Sequence, residues 1–173
     1  MTRLLLGIVA AVLLSSCSST DGSPSGDSAD QLDAAAFKQE MDAEAQSLLP
    51  DLVAALGGQL GGMQATFYER GGFGIYDYTA SGVLSGPRGT VAAKLDAATE
   101  VLEQHDYAIE RDDAKERVTA TKGDVGVTVQ TGMPTTDPQA RSLNLRMSSV
   151  GGIQDGDDFA ESAPPEDYLA YLE

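Results

Sequence analysis

The sequence predicts an α+β domain: a two-layer sandwich in which an antiparallel sheet of about five to six strands carries two helices packed on one face. Three observations lead there. Two stretches repeat apolar residues at steps of three and four, the period of a half-buried helix. Several others alternate apolar and polar residues, the period of strands with one wet face. Two pairs, Gly71-Gly72 and Gly123-Asp124, sit between such strands where tight hairpin turns need positive φ. The 173 residues suffice for one ordinary domain with a real core.

In the first helix, Phe37, Met41, Ala45, Leu48, Leu52 and Leu56 share one face, widened by Leu49 and Val53. Ser28 or Asp30 can cap its start, and Gly57-Gly58 end it. Pro50 has no N–H to donate, so it either kinks this helix or divides it in two. A hairpin follows, residues 63–70 and 73–80 around Gly71-Gly72. A two-residue turn there pairs Phe67 with Tyr76 and Ala65 with Tyr78, and makes Tyr68 and Ile75 cross-strand neighbours. Met63, Ala65, Phe67, Tyr76, Tyr78 and Ala80 then form a core face.

The second helix, residues 87–104, turns Val91, Leu95, Ala98 and Leu102 inward, with Pro87 in its first turn. Residues 107–111 read as a short strand. Residues 117–122 and 125–130 flank Gly123-Asp124, which sets Val118 against Val129 and Ala120 against Val127. After a loop over 132–140, long enough to be mobile, Leu143, Leu145 and Met147 alternate with Asn144 and Arg146 in a last strand. Residues 30–150 thus form a single α+β domain. Residues 151–173 are an acidic tail, in which Pro165 can start a short helix with Tyr168, Leu169 and Leu172 inward.

The N-terminus carries an address. Arg3 is followed by residues 4–14 without a charge, a run too short to span a bilayer core but of the length of an export-signal core. The run ends in Leu14-Ser15-Ser16-Cys17, which resembles the lipobox of bacterial lipoproteins. The composition is similar to that of actinobacterial-type lipoproteins, with a fainter similarity to LppA-like envelope lipoproteins. The late cysteine pair of that group is missing, because the strand ends read Thr131-Gly132-Met133 and Ser148-Ser149-Val150. The resemblance implies cleavage between Ser16 and Cys17, lipid on Cys17, and an acyl anchor on the extracytoplasmic side of the cell membrane. Two or more acyl chains hold stably, at about 0.8 kcal/mol per buried methylene. Residues 1–16 are then a signal peptide, and residues 17–29 the lipidated end and a Ser/Gly/Asp-rich flexible tether.

Composition narrows the function further. The net charge of −16 opposes nucleic-acid binding, which needs a basic surface. A single cysteine excludes an internal disulfide framework, and a single histidine excludes a two-histidine metal set. His105, beside Asp106 at a helix end, reads as a surface residue rather than a general base. Glu40/Glu44 and Glu100/Glu103 are ordinary pairs in an acid-rich chain. Asp155-Gly156-Asp157-Asp158 reads as a hydrated tail rather than a calcium loop. Gly86-Pro87-Arg88-Gly89-Thr90 offers a possible anion site at a helix start, with Arg88 its cation. The best binding candidate is the outer sheet face, with Tyr68, Ile75, Asp77, Arg117 and Arg146, suited to an envelope polymer or a partner protein.

The expectation is therefore a membrane-anchored, non-catalytic binding or scaffold module that uses no cofactor or metal. One alternative is a lipid or small-molecule carrier, with a cleft between helices and sheet left by Ala54, Ala55, Ala93, Ala97 and Ala98. Another is an envelope hydrolase working through two carboxylates.

Overall fold

Helix α1 (Ala34–Leu56) starts on Asp33, whose carboxylate accepts from the Ala36 N–H at 2.8 Å. The computed structural model describes residues 33–71, 73–137, 140–154 and 158–173. Cys17, the lipobox, the tether, Ser28, Asp30 and residues 155–157 lie outside them. The cap is thus Asp33 rather than the earlier candidates. Pro50 does not divide the helix, which runs through it as one element. Buried Leu48, Leu49, Leu52 and Leu56 on both sides of Pro50 hold the segment to the core, offsetting the hydrogen bond a mid-helix proline forfeits.

The chain continues as β1 (Gln59–Glu69), β2 (Ile75–Ser85), α2 (Val91–Gln104), β3 (Ala108–Asp112), β4 (Arg117–Lys122), β5 (Val125–Thr131) and β6 (Leu143–Ser149). Then come β7 (Ile153–Gln154), the short helix α3 (Phe159–Ser162), β8 (Glu166–Asp167) and a 3-10 turn (Tyr168–Leu172). The fold is α+β, with one antiparallel eight-stranded sheet in the order β3-β4-β5-β6-β2-β1-β8, and β7 beside β2. The sheet exceeds the expected five to six strands by the two-residue strands β7 and β8, and α3 is a helix beyond the expected two. Segments that short carry no periodicity to read.

The β4–β5 hairpin has the register the sequence predicts, Val118 against Val129 and Ala120 against Val127. The β1–β2 hairpin does not. Phe67 pairs with Tyr78 and Ala65 with Ala80, a slip of two residues, and Arg70 N–H donates to the Ile75 carbonyl at 2.6 Å. The turn therefore takes four residues, with Gly71, Phe73 and Gly74 all at positive φ. A slip of two keeps every side chain on its face. It moves partners, however: Tyr68 stands opposite Asp77, and Ile75 opposite Gln154 on β7.

Helix α2 begins at Val91 with Thr90 as its cap, so Pro87 precedes the helix rather than opening it. Both long helices contribute to one buried cluster with the inward residues of β1, β2, β4, β5 and β6. The C-terminal segment packs on the same side. Tyr168 is fully buried, and Phe159 meets Phe67 edge-on at 6.1 Å. Of the two readings of this segment, the packed one describes it: Tyr168, Leu169 and Leu172 turn inward on a 3-10 turn rather than lying in a solvated tail. The opposite face of the central strands is open, with Ser81, Val83, Asn144 and Arg146 exposed.

Candidate functional site

Pleating sends alternate residues of the central strands to that open face, and the register sets them in rows. One row runs Thr119, Thr128, Arg146, Ser81 and Gln64 across β4, β5, β6, β2 and β1. The next runs Arg117, Gln130, Asn144, Val83 and Gly61. Arg146 and Arg117 therefore stand on adjacent rows two strands apart, about 12 Å at the backbone.

Two adjoining hollows occupy this face. The first, about 530 Å3, is lined by Arg117, Arg146, Thr128, Gln130, Asn144 and Gly61, among others. The second, about 510 Å3, is lined by Gln64, Tyr68, Asp77 and Thr79. They share Gly62, Ser81 and Arg146, so together they form one trough with Arg146 at its middle.

The trough has a structural cause in β1. Gly61 faces Val83 and Gln64 faces Ser81, so Gly62 and Met63 together oppose one residue of β2, a β-bulge. Gly62 adopts φ +76°, which only glycine takes without strain. A Cβ on Gly61 would meet nothing within 4 Å. Any larger residue there would project into the hollow, so glycine keeps it open.

Its charges are unevenly satisfied. Arg70 grips Asp77 through two N–H donors at 2.5 and 3.0 Å, which neutralises the carboxylate of the lining. Arg146 donates Nε to Thr79 Oγ1 at 3.2 Å and has no carboxylate within ion-pair distance among the described residues. Arg117 reaches Asp112 only at 4.0 Å, and its Nε is buried without an acceptor. In a chain of charge −16, two guanidinium groups left this free on one face are the opposite of what random pairing gives.

Four of the five residues expected on the binding face, Tyr68, Asp77, Arg117 and Arg146, meet in the trough. Ile75 lies beyond its end, beside Gly152. Arg88 stands elsewhere: its backbone N–H donates to the Leu56 carbonyl at 2.9 Å, and its guanidinium lies against Gly57 at the end of α1. A cation there suits the negative end of the helix dipole. The start of α2 is occupied by the Thr90 hydroxyl, which accepts from Ala93 N–H.

His105 pairs with Asp51 at 2.9 Å and ties α2 to α1, and Glu44 accepts from Tyr107 and Lys122. Asp77 is the one carboxylate lining the trough among the described residues, so the two acids of a glycosidase do not meet there. The described residues also contain no cluster of three or more metal-ligating side chains, and no helix among them is long and apolar enough to cross a membrane. Ala54 and Ala55 are exposed and line, with Ala97, a groove on the outer side of the two helices rather than a cleft against the sheet.

The residues that sequence reasoning missed are Gly61 and Gly62, which it placed before the strand. Their signal was a glycine pair interrupting an apolar alternation, the usual mark of a bulge. No family model matches this chain, and comparison with curated proteins and with solved structures finds no match.

Proposed function

We propose that the chain is an exported lipoprotein, anchored by lipid on Cys17 at the outer side of the cytoplasmic membrane, which acts as a non-catalytic binding module through its open sheet face. The address rests on Arg3, the apolar run and Leu14-Ser15-Ser16-Cys17. The binding role rests on one observation: a trough kept open by a glycine bulge and holding two weakly partnered arginines. An envelope polymer fits this face better than a globular partner, because a trough across a pleated sheet accepts a chain. The acidic body favours a standoff from anionic lipid headgroups, so the tether presents the face to what lies outside the membrane.

Two measurements test the two halves of this reading. Intact mass spectrometry of the native product is expected to show Cys17 as the N-terminal residue, carrying a diacylglyceryl group. A bare thiol or an uncut leader ends the anchor assignment. For the face, Gly61→Phe in the full-length protein puts a ring into the trough from a position whose Cβ meets nothing within 4 Å. Its co-sedimentation with washed, delipidated envelope polymer is expected to fall about tenfold, equivalent to ~1.4 kcal/mol, with an unchanged melting temperature. Equal retention of wild type and variant would show that the face does not bind.

A further inference from the structure

We infer that the trough takes an acidic sugar chain, with the fork of Arg146, helped by Arg117, on a sugar carboxylate and Tyr68 against a sugar ring. This deepens the binding role proposed above and rests on it. Charge complementarity comes first. Arg146 is exposed, hydrogen-bonded through Nε to Thr79 and free of any carboxylate among the described residues. Arg117 adds a buried Nε with no acceptor. A guanidinium presents paired N–H donors in a plane that matches a carboxylate.

The rest of the lining defines what carries that carboxylate. Thr128, Gln130 and Asn144 offer donors and acceptors together, which suits hydroxyl groups that need both. Tyr68 lines the far hollow and is 58% exposed, an aromatic face open to a pyranose ring. Each hollow, at about 530 and 510 Å3, lies in the range of small-ligand sites, so the pair accommodates successive units of a chain.

Two competing ligands fit less well. Phosphate sites draw on free backbone N–H groups at helix starts or in nests. Here β2, β5 and β6 beneath the trough are each paired on both sides, and the ladder is interrupted at the Gly62–Met63 bulge of β1. An acidic peptide would bind most readily as an added strand at a sheet edge. On one side β8 already covers part of β1, while on the other β3 carries Glu110, Arg111 and Asp112.

The test is isothermal titration of the full-length protein in detergent with trigalacturonate. Maltotriose, tetraglutamate and inorganic phosphate are the comparisons. Trigalacturonate is expected to bind saturably below about 1 mM and to weaken as salt rises. Arg146→Gln is expected to lose about tenfold or more in affinity and Arg117→Gln about fivefold, while Arg146→Lys keeps the charge, loses the fork and falls between. Several results overturn the inference: no saturable binding by about 10 mM, equal affinity for maltotriose, equal affinity for tetraglutamate, displacement by equimolar phosphate, or an unchanged constant for a folded Arg146→Gln. Its failure is distinct from that of the binding role. If envelope polymer is still lost on Gly61→Phe, the face binds another ligand; if retention is indifferent to Gly61→Phe, the face does not bind.

Discussion

Replacing Asp42 with alanine is expected to cost about 3–5 kcal/mol of stability and to free the C-terminal segment for proteolysis. Asp42 sits on the inner side of α1 and serves three donors. Its Oδ1 accepts from the Tyr78 hydroxyl at 2.9 Å and the Tyr168 hydroxyl at 2.8 Å, and its Oδ2 pairs with Lys38. Lys38 also reaches Glu166 at 3.2 Å, and Glu166 accepts from Tyr171 at 3.1 Å. One carboxylate thus joins α1, β2 and the last turn of the chain. Tyr78 and Tyr168 are fully buried, so its removal leaves two phenols without their acceptor, at about 1–3 kcal/mol each. Asp42→Asn keeps an acceptor oxygen but loses the charge that pairs with Lys38, and is expected to cost about half as much. Urea unfolding gives the free energies, and limited proteolysis reports the segment from Asp158 to the end. A cost under about 1 kcal/mol, with that segment still protected, would mean the C-terminus is held by apolar packing alone. A double-mutant cycle with Tyr168→Phe is expected to be non-additive, because both changes remove the same bond.

Much of this architecture was legible because periodicity survives local error. The stripe from Phe37 to Leu56 gave the buried face of α1, and all its members lie in the core. The faces of the first hairpin came out right although its register did not, since a two-residue slip conserves the side of every residue. Gly71-Gly72 suggested a two-residue turn, but Gly74 and the left-handed Phe73 extend it to four. That is why Tyr68 faces Asp77, and why Ile75 drops out of the trough. The open face was foreseeable from alternation, because Arg117, Thr128, Asn144 and Arg146 occupy the polar phase of their strands. What covers the other face was legible only in part: Tyr168, Leu169 and Leu172 could be placed inward, but not what they meet. Tyr168 anchors the C-terminus through a hydrogen bond to Asp42, 126 residues away, and no local pattern encodes a contact that distant.

Above about pH 10 the fold is expected to lose stability steeply, because its phenols cannot ionise in place. Tyr78, Tyr107 and Tyr168 are buried. Burial is the largest reason that each holds its proton well beyond the ordinary phenol range, and nearby carboxylates add to it: Asp42 for Tyr78 and Tyr168, Glu44 for Tyr107. The unfolded chain releases these protons near pH 10.0. Below that value both states hold them, and the contribution is fully present. Above it the unfolded state binds fewer protons than the native one, so each buried phenol lowers stability by about 1.4 kcal/mol per pH unit. Three of them remove about 4 kcal/mol per unit, against a total of about 5–15 kcal/mol for a domain of this kind. Half-buried Tyr171 is shifted the same way and adds less. Lys38, whose ammonium is favoured by Asp42 and Glu166 against the opposing effect of burial, works in the same direction once pH passes the ordinary lysine range. Lys94 has the opposite shift, caused first by burial, but its contribution levels off above that same range and cannot compensate. Unfolding is therefore expected by about pH 12. Followed together, phenolate absorbance and far-ultraviolet circular dichroism are expected to change in one cooperative step. If the buried phenols titrate gradually while the dichroism of the sheet persists, then water reaches Tyr78 and Tyr168 in the native state. The Asp42 hub would then be far looser than its geometry implies.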